Sequence, residues 1–255
     1  MNPLYQRNLI KEELQDVILN FIYNNEKYKE LVFTGGTCLR KLYSLPRLSE
    51  DLDFDYSGSF DVNVFATEIQ GYLVSQKRLF PVEIKIANNR RTVFIKFIQK
   101  NKEVIFVRCD FSSNKIKVGE KEVNPYYGEK YNFFIANYNL KTLFTHKIRA
   151  FLERVYFKGA SQKTSFKGRD LFDIVWFIQF SAKNRFELKP DWGKLESELK
   201  KGKVEVIQDI IDKAIVIKKQ DVLLDLAPFI EGENELHNFI DTYARVIKAK
   251  MRFLL

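Results

Sequence analysis

The sequence predicts an α+β fold in which a mixed sheet flanked by helices is followed by a mainly α-helical second half. Three changes of pattern support this fold class. Apolar residues recur at helical spacing at the start of the chain, alternate with polar residues through the middle, and return to helical spacing from Asn139 onward. We therefore expect one domain over residues 1–136 and a helical domain over residues 137–255 that packs against it.

The elements of the first half are predicted from apolar spacing and turn residues. An amphipathic helix opens the chain and ends near Asn24, and a short buried strand follows at residues 31–33. A Gly-Gly turn then leads into a short helix over residues 37–43, and Asp61 caps a helix that runs to about Ser75. The strands expected are residues 52–56 and an antiparallel meander of residues 82–86, 93–98 and 104–111.

The second half is predicted to be helical. Apolar residues at helical spacing mark one helix over residues 140–155 and another over residues 171–178. A basic, polar connector over residues 158–165 joins them. We find no internal repeat in the sequence.

Composition indicates a well-packed globular protein with an excess of positive charge. The 255 residues are 45% hydrophobic and 15% aromatic, and 42 Lys and Arg against 33 Asp and Glu give a formal net charge of +9. The charge favours polyanionic partners such as nucleotides or RNA. With only two Cys and two His, a disulfide framework and a structural zinc site are not expected, so a bound metal would have oxygen ligands.

The N-terminal residues and the hydropathy pattern predict a cytoplasmic protein with no membrane partner. The chain turns polar within its first residues and lacks an apolar signal core. No apolar run approaches the roughly 18 residues that a membrane-spanning helix needs.

A glycine pair followed by two closely spaced carboxylates is the pattern in the sequence that indicates a catalytic site. Asp51 and Asp53 share one face of the predicted strand, where they can hold Mg²⁺ or Mn²⁺. Backbone amides at Gly35, Gly36 and Thr37 lead into a predicted helix and can donate to phosphate oxygens. The sequence therefore predicts a phosphate cradle beside a metal clamp, which together would hold a nucleoside triphosphate (NTP).

Two further points bear on this site. Asp110 lies late in a predicted strand of the meander, and the expected sheet order allows it to become a third metal ligand. Alternatively, the glycines form an ordinary tight turn and the aspartates are the solvated face of an edge strand. The combination of both patterns favours the site.

These motifs resemble those of a known family. The segments Gly35-Gly36-Thr37-x-Leu39 and Arg47-x-Ser49-x-Asp51-x-Asp53-Phe54 are similar to the opening motif of the AbiEii-type nucleotidyltransferase toxins, which are DNA polymerase β-like nucleotidyltransferases of abortive-infection and toxin–antitoxin systems. Residues 146–150 match a lysine-containing helix motif of that family. Residues 169–173 match a later helix start, in which Arg169 and Phe172 replace the family's lysine and tyrosine.

The resemblance implies roles for these residues. Asp51 and Asp53 would bind the metal, and Lys147 would neutralise the triphosphate. Asp170 would accept the proton of the attacking hydroxyl or orient a basic partner. The resemblance also suggests that Arg47 and Ser49 hold phosphate or brace the aspartate strand, that Arg169 contacts the nucleotide, and that the helical domain completes the active site.

The function expected from the resemblance is transfer of nucleotides from an NTP to the 3′ end of a tRNA, which would block translation and growth. A separately encoded antitoxin would oppose such a toxin. Two alternatives remain open from the sequence. The acceptor could be a protein hydroxyl, or the chain could be a catalytically inactive nucleic-acid-binding or antitoxin-like module.

Overall fold

The structure of the protein, a computed structural model, describes residues 2–76, 81–113, 119–154, 156–158, 162–164, 166–184 and 187–254. The chain divides into two compact units, residues 3–139 and residues 140–255.

The first unit is built on a mixed sheet, which has seven strands in the described residues. Its helices are α1 (Pro3–Tyr23), α2 (Gly35–Tyr43) and α3 (Val62–Ser75), and its strands are β1 (Val32–Thr34), β2 (Asp51–Tyr56), β3 (Val82–Ile86), β4 (Thr92–Ile98), β5 (Val104–Ser113), β6 (Lys121–Tyr127) and β7 (Asn132–Tyr138). The strand order is β3-β4-β5-β2-β1-β7-β6. The β1–β7 and β2–β5 pairs are parallel, and the other neighbours are antiparallel.

A row of phenylalanines crosses the centre of this sheet on its buried face. The ring of Phe54 stacks on Phe33 with centroids 5.3 Å apart and on Phe111 with centroids 5.5 Å apart. All three side chains are buried. Because side chains alternate along a strand, Asp53 and Asp110, which precede Phe54 and Phe111, project from the opposite face.

The predicted fold class and the meander are confirmed. Strands β3, β4 and β5 pair in antiparallel order. Helix α3 begins where it was expected, because the Asp61 side chain accepts hydrogen bonds from the backbone N–H groups of Asn63 and Val64.

Two predictions about the first unit were wrong or incomplete. Helix α2 begins at Gly35 rather than at residue 37, so the glycines form its first turn instead of a turn before it. Strands β6 and β7 were not predicted. Pro125 lies within β6, and proline in a sequence argues against a strand unless that strand is at a sheet edge, as β6 is.

The second unit is mainly helical. Its elements are α4 (Leu140–Glu153), β8 (Tyr156–Lys158), β9 (Gln162–Thr164), α5 (Gly168–Asn184), α6 (Trp192–Leu199), α7 (Lys203–Val216), α8 (Lys219–Leu226), α9 (Glu233–Lys250) and the 3-10 helix Met251–Leu254. Helices α4 and α5 pack through Phe144 and Phe177, whose stacked rings have centroids 4.5 Å apart.

The connector predicted between the two helices contains a short antiparallel hairpin, β8–β9. Residues 159–161 and 165 of the predicted connector lie outside the described residues. Within the part of the chain that the structure describes, no helix is both long and apolar enough to cross a membrane.

Candidate active site

The first turn of α2 lies directly against the β2 carboxylates. Gly35 has a φ of +80°, and a Cβ atom at this position would clash with the carboxylate of Asp53. A Cβ at Gly36 would lie 2.7 Å from Nη2 of Arg47 and 3.0 Å from Oγ of Ser49. Gly35 is therefore favoured both by close approach and by its backbone conformation, whereas a Cβ at Gly36 would require the end of the Arg47 side chain to shift.

Polar side chains beneath this turn join α2 to the start of β2. The Thr37 hydroxyl donates a hydrogen bond to the backbone carbonyl of Asp51. Arg47 is only 3% exposed and Ser49 is also buried. The Gln15 side chain in α1 donates to the Ser49 carbonyl at 2.9 Å. These contacts fix the segment that leads into the aspartate strand.

Three carboxylates lie on one face of the sheet beside this turn. Asp51 and Asp53 alternate along β2, and Asp53 is the register partner of Asp110 on the parallel strand β5. The structure thus brings Asp110 next to the aspartate pair. Asp110 also accepts a hydrogen bond from the Thr92 hydroxyl, and Arg108 Nη2 lies 2.8 Å from its Oδ2.

The electrostatics of the face reflect this concentration of negative charge. Burial acts to lower the pKa of Arg108, but the carboxylates of Asp110, Asp51 and Asp53 raise it, and the net pKa lies above the usual value. The pKa of the Cys109 thiol is raised by burial and further by the same carboxylates. Cys109 is therefore a neutral core residue.

The donor set fits a magnesium ion that is shared with a substrate. No group of three or more His, Cys, Asp and Glu residues in the described ranges is arranged to hold a metal by itself. Mg²⁺ in phosphoryl-transfer sites is commonly bound by one or two carboxylates together with waters and substrate phosphates. Asp51 and Asp53 supply such a pair of carboxylates, and Asp110, which contacts Thr92 and Arg108, lies beside them.

A second cluster of charged residues lies in the helical unit. Nζ of Lys147, on α4, lies 2.7 Å from Oδ2 of Asp173 and 3.5 Å from Oδ1 of Asp170, both on α5. Arg154 Nε lies 2.7 Å from Oδ2 of Asp170. The Asp173 side chain is 0% exposed and that of Asp170 is 4% exposed. The two predicted residues, Lys147 and Asp170, are therefore ion-pair partners.

Arg169 has a different environment from the other predicted site residues. Its backbone N–H donates to the Asp225 carboxylate at 3.2 Å, and its Cζ lies 4.3 Å from the Phe229 ring centroid. Nε of Arg169 is 3.9 Å from the same Asp225 carboxylate. The structure thus places Arg169 against Asp225 of α8 and Phe229 in the turn that follows it, contacts that the nucleotide prediction did not include.

Sequence reasoning did not identify three residues of these clusters. Arg108 precedes Asp110 by two positions in a strand, and Arg154 follows Lys147 by seven positions, so strand and helix periodicity could have placed each on the same face as its predicted neighbour. Thr92 carries no such signal, because its contact depends on the register of the meander.

Comparison with known proteins defines the class of this protein. The sequence profile described as "Nucleotidyl transferase AbiEii toxin, Type IV TA system" matches residues 18–236, and the chain is a nucleotidyltransferase. The protein belongs to the AbiEii toxin family. The family implies an NTP substrate and an antitoxin partner. No significant match was found among curated protein sequences.

Solved structures share the fold. "MenT4, nucleotidyltransferase toxin Rv2826c from Mycobacterium tuberculosis H37Rv" is 15% identical with a TM-score of 0.60, over 99% of this chain and 89% of that chain. JHP933 from Helicobacter pylori is 23% identical with a TM-score of 0.54, over 96% and 93% of the two chains. A putative nucleotidyltransferase from H. pylori is 22% identical with a TM-score of 0.53, over 97% of each chain.

Proposed function

We propose that this nucleotidyltransferase toxin uses Mg²⁺ to transfer nucleotides from an NTP to the 3′-terminal hydroxyl of a tRNA in the cytoplasm. The hydroxyl oxygen would form a bond to the α-phosphorus as the bond between that phosphorus and the bridging oxygen to the β-phosphate breaks. The hydroxyl proton would pass to a base, and pyrophosphate would leave with the electrons of the broken bond. Mn²⁺ would substitute for Mg²⁺ at such an oxygen-ligand site.

One observation carries this proposal. The Gly35 backbone approaches the Asp53 carboxylate so closely that no side chain fits between them. The backbone at the α2 N-terminus thus lies beside Asp53, one of the two carboxylates that would bind the metal. Amides at a helix N-terminus favour phosphate, and a metal beside them would neutralise the same triphosphate.

The geometry of the first unit supports the proposed roles. Asp51 and Asp53 would hold the metal, and the amides of Gly35, Gly36 and Thr37 would contact phosphate. Because Arg47 and Ser49 are buried beneath the α2 turn, their contacts support bracing of the aspartate strand more strongly than direct phosphate binding.

We propose that the cluster in the helical unit serves the same reaction. Lys147 would neutralise triphosphate charge, and Asp170 would orient basic partners, since it is paired with Lys147 and Arg154. The test is Lys147→Met, which keeps most of the side chain's volume and removes its charge; because the ammonium faces the buried Asp173 carboxylate, urea unfolding first checks that the variant is folded. We expect this variant to lower the transfer rate by about a hundredfold, the range of a lost charge contact in a transition state.

The tRNA acceptor is inferred from the family and from the positive net charge of the chain. Inhibition of growth is inferred from the family. The formal net charge of +9 favours a polyanionic acceptor. The separately encoded antitoxin that the family implies would relieve the growth inhibition. Growth arrest on expression of the parent, relieved by Asp51→Ala, would support this part of the proposal.

The direct experiment incubates purified protein with Mg²⁺, each labelled NTP and total tRNA. We expect label in tRNA with the parent and a loss of at least about a thousandfold in rate with Asp53→Asn, because the metal loses a charged ligand. Asp55→Asn is the matched control. Asp55 lies on the same face of β2, but its carboxylate accepts a hydrogen bond from the Tyr138 hydroxyl at 2.9 Å.

Three outcomes would contradict the proposal. The parent could transfer no label to tRNA, Asp53→Asn could transfer as fast as the parent, or label could appear in protein instead of RNA. Mass spectrometry of the RNA and protein pools separates the last outcome from the first.

A further inference from the structure

The sheet face that carries the carboxylates continues outward over β5, β4 and β3. Five residues of these strands, which we call the β3–β5 face, project on the same side as Asp53 and Asp110: Lys85, Phe94, Lys96, Phe106 and Arg108. The alternate residues of β4 and β5 are buried on the other side of the sheet. The face is therefore a direct extension of the candidate metal site.

The register of the strands gives the distance along this face. Asp51 is the partner of Arg108, Arg108 is the partner of Phe94, and Phe94 is the partner of Lys85. Two strand spacings, roughly 10 Å, therefore separate the backbone of Asp51 from that of Phe94. The terminal nucleotides of a strand whose end lies at the metal can cover this distance.

Two aromatic rings lie in contact on the β3–β5 face. Phe94 and Phe106 meet edge to face with centroids 5.8 Å apart. Phe106 is 37% exposed and Phe94 is partly exposed, although a buried position is usual for phenylalanine. Aromatic rings on an open sheet surface are able to stack on nucleic-acid bases.

Cations surround these rings. The side chain of Arg108 is 43% exposed, that of Lys96 is 35% exposed, and Lys85 is exposed. Lys11 Nζ lies 5.1 Å from the centroid of Phe106, but its side chain is buried and pairs with Glu50 at 3.1 Å, so it is not counted among the phosphate-binding cations. Glu83 shares this side of β3 and lies 3.7 Å from Lys96, and Asp110 lies 2.8 Å from Arg108, so the three cations of the face exceed these two neighbouring carboxylates by one charge.

We propose that the β3–β5 face binds the acceptor as single-stranded RNA, with the bases nearest the 3′ end stacked on Phe94 and Phe106 and the phosphates held by Lys85, Lys96 and Arg108. This inference rests on the proposed function, in which an RNA hydroxyl must reach Asp51 and Asp53. It assigns a specific surface to the acceptor. Exposed rings interleaved with cations favour this partner over a protein, since unpaired bases and phosphates complement both features.

The test measures binding of a short, 5′-labelled single-stranded RNA with a 3′ hydroxyl by fluorescence anisotropy, without NTP. We expect Phe94→Leu and Phe106→Leu each to weaken binding about tenfold, the effect of losing a base–aromatic stack. The same RNA in a blunt duplex should bind more weakly than the single strand, because its bases are paired.

Phe134→Leu is the matched control. Phe134 is 67% exposed and lies on β7, which β2 and β1 separate from β5 in the strand order. The substitution removes the same ring as Phe94→Leu, and this variant should bind the single-stranded RNA as the parent does. Thermal unfolding checks the fold of each variant. If Phe94→Leu is unfolded, Lys85→Gln at its exposed position tests the same surface, with an expected weakening of about threefold.

The outcomes separate this inference from the proposed function. In one outcome the parent labels tRNA, and Phe94→Leu and Lys85→Gln bind single-stranded RNA with the parental affinity and transfer to tRNA with the parental KM. The β3–β5 face is then not the acceptor surface, and the proposed function stands. If binding depends on these residues but tRNA receives no label, the surface stands and the tRNA assignment fails. If the parent does not bind the single strand, the inference is overturned.

Discussion

At the scale of single residues, Gly35 and Asp53 define the candidate site more sharply than any other pair. The positive φ of Gly35 and the missing Cβ let the α2 N-terminus reach the carboxylate. A side chain at this position would have to displace the group that we expect to bind the metal. Close approach therefore links the glycine motif to the aspartate motif in space.

Gly35→Ala should therefore lower both stability and activity. We expect the free energy of unfolding to fall by about 1–2 kcal/mol from the left-handed backbone alone, with a further cost from the clash with Asp53. Transfer activity should fall as well. The measurements are urea unfolding and labelled-nucleotide transfer.

Gly71→Ala is the control for this substitution. Gly71 lies in α3, and a Cβ there would meet nothing within 4 Å. The change should raise the free energy of unfolding by about 0.5–1 kcal/mol, because alanine is the better helix former. Equal effects of the two substitutions would contradict the close-approach argument.

The buried ion pair of the helical unit gives a second prediction for single residues. Asp173→Asn removes the charge of the carboxylate closest to Lys147 at a fully buried position, and among the described residues the more distant Asp170 carboxylate remains. We expect the free energy of unfolding to fall by about 3 kcal/mol. Urea unfolding measures it. Asp241→Asn, which breaks an exposed pair with Lys219, should leave the unfolding midpoint nearly unchanged.

The sequence supports the prediction of individual site residues only where a motif fixes their spacing. The positions of Asp51 and Asp53 on one strand face follow from a period of two. The partner of each charge was not predictable in the same way. Lys147 meets Asp173 across two helices, and such a contact depends on how the helices pack.

At the scale of elements, the start of α3 depends on the charge of one side chain. Hydrogen bonds from the backbone N–H groups of Asn63 and Val64 lower the pKa of Asp61 below the usual 3.8. The carboxylate therefore stabilises the fold above pH 3.8, and this contribution is lost as the pH falls through the lower pKa of the folded state.

We expect the parent to unfold at a higher temperature than Asp61→Ala at neutral pH, and the difference to shrink in acid as the carboxylate is protonated. Asp61→Asn is the control, since its amide oxygen can still cap the helix but does not titrate. Thermal unfolding of the three proteins over a pH series measures this. A difference between parent and Asp61→Ala that persists unchanged in strong acid would contradict the assignment.

Elements with a clear local signal were predictable, and the pairing of distant elements was not. The N-cap of α3 and the alternation of apolar and polar residues in the meander strands are each visible in a few consecutive residues. The parallel β2–β5 pair joins segments separated by two strands and a helix, so no local pattern specifies its register. Strand β6 was missed because its proline is tolerated only at the sheet edge.

At the scale of the whole molecule, the excess of basic residues should govern RNA binding. Binding that replaces counterions on phosphates weakens linearly on a log–log plot against salt concentration. We expect the affinity for single-stranded RNA to fall steeply with added KCl, and Lys85→Gln to reduce the slope by up to about 1. Fluorescence anisotropy over a salt series checks this, and an affinity that is independent of salt would contradict it.

The central claim is that Asp51 and Asp53 hold a metal-bound triphosphate against the α2 N-terminus. A crystal structure with Mg²⁺ and a non-hydrolysable NTP analogue tests it most directly. We predict an ion coordinated by carboxylate oxygens of both aspartates and phosphate oxygens within hydrogen-bond distance of the amides of residues 35–37. A nucleotide bound elsewhere, or an ion that contacts neither aspartate, would contradict the account.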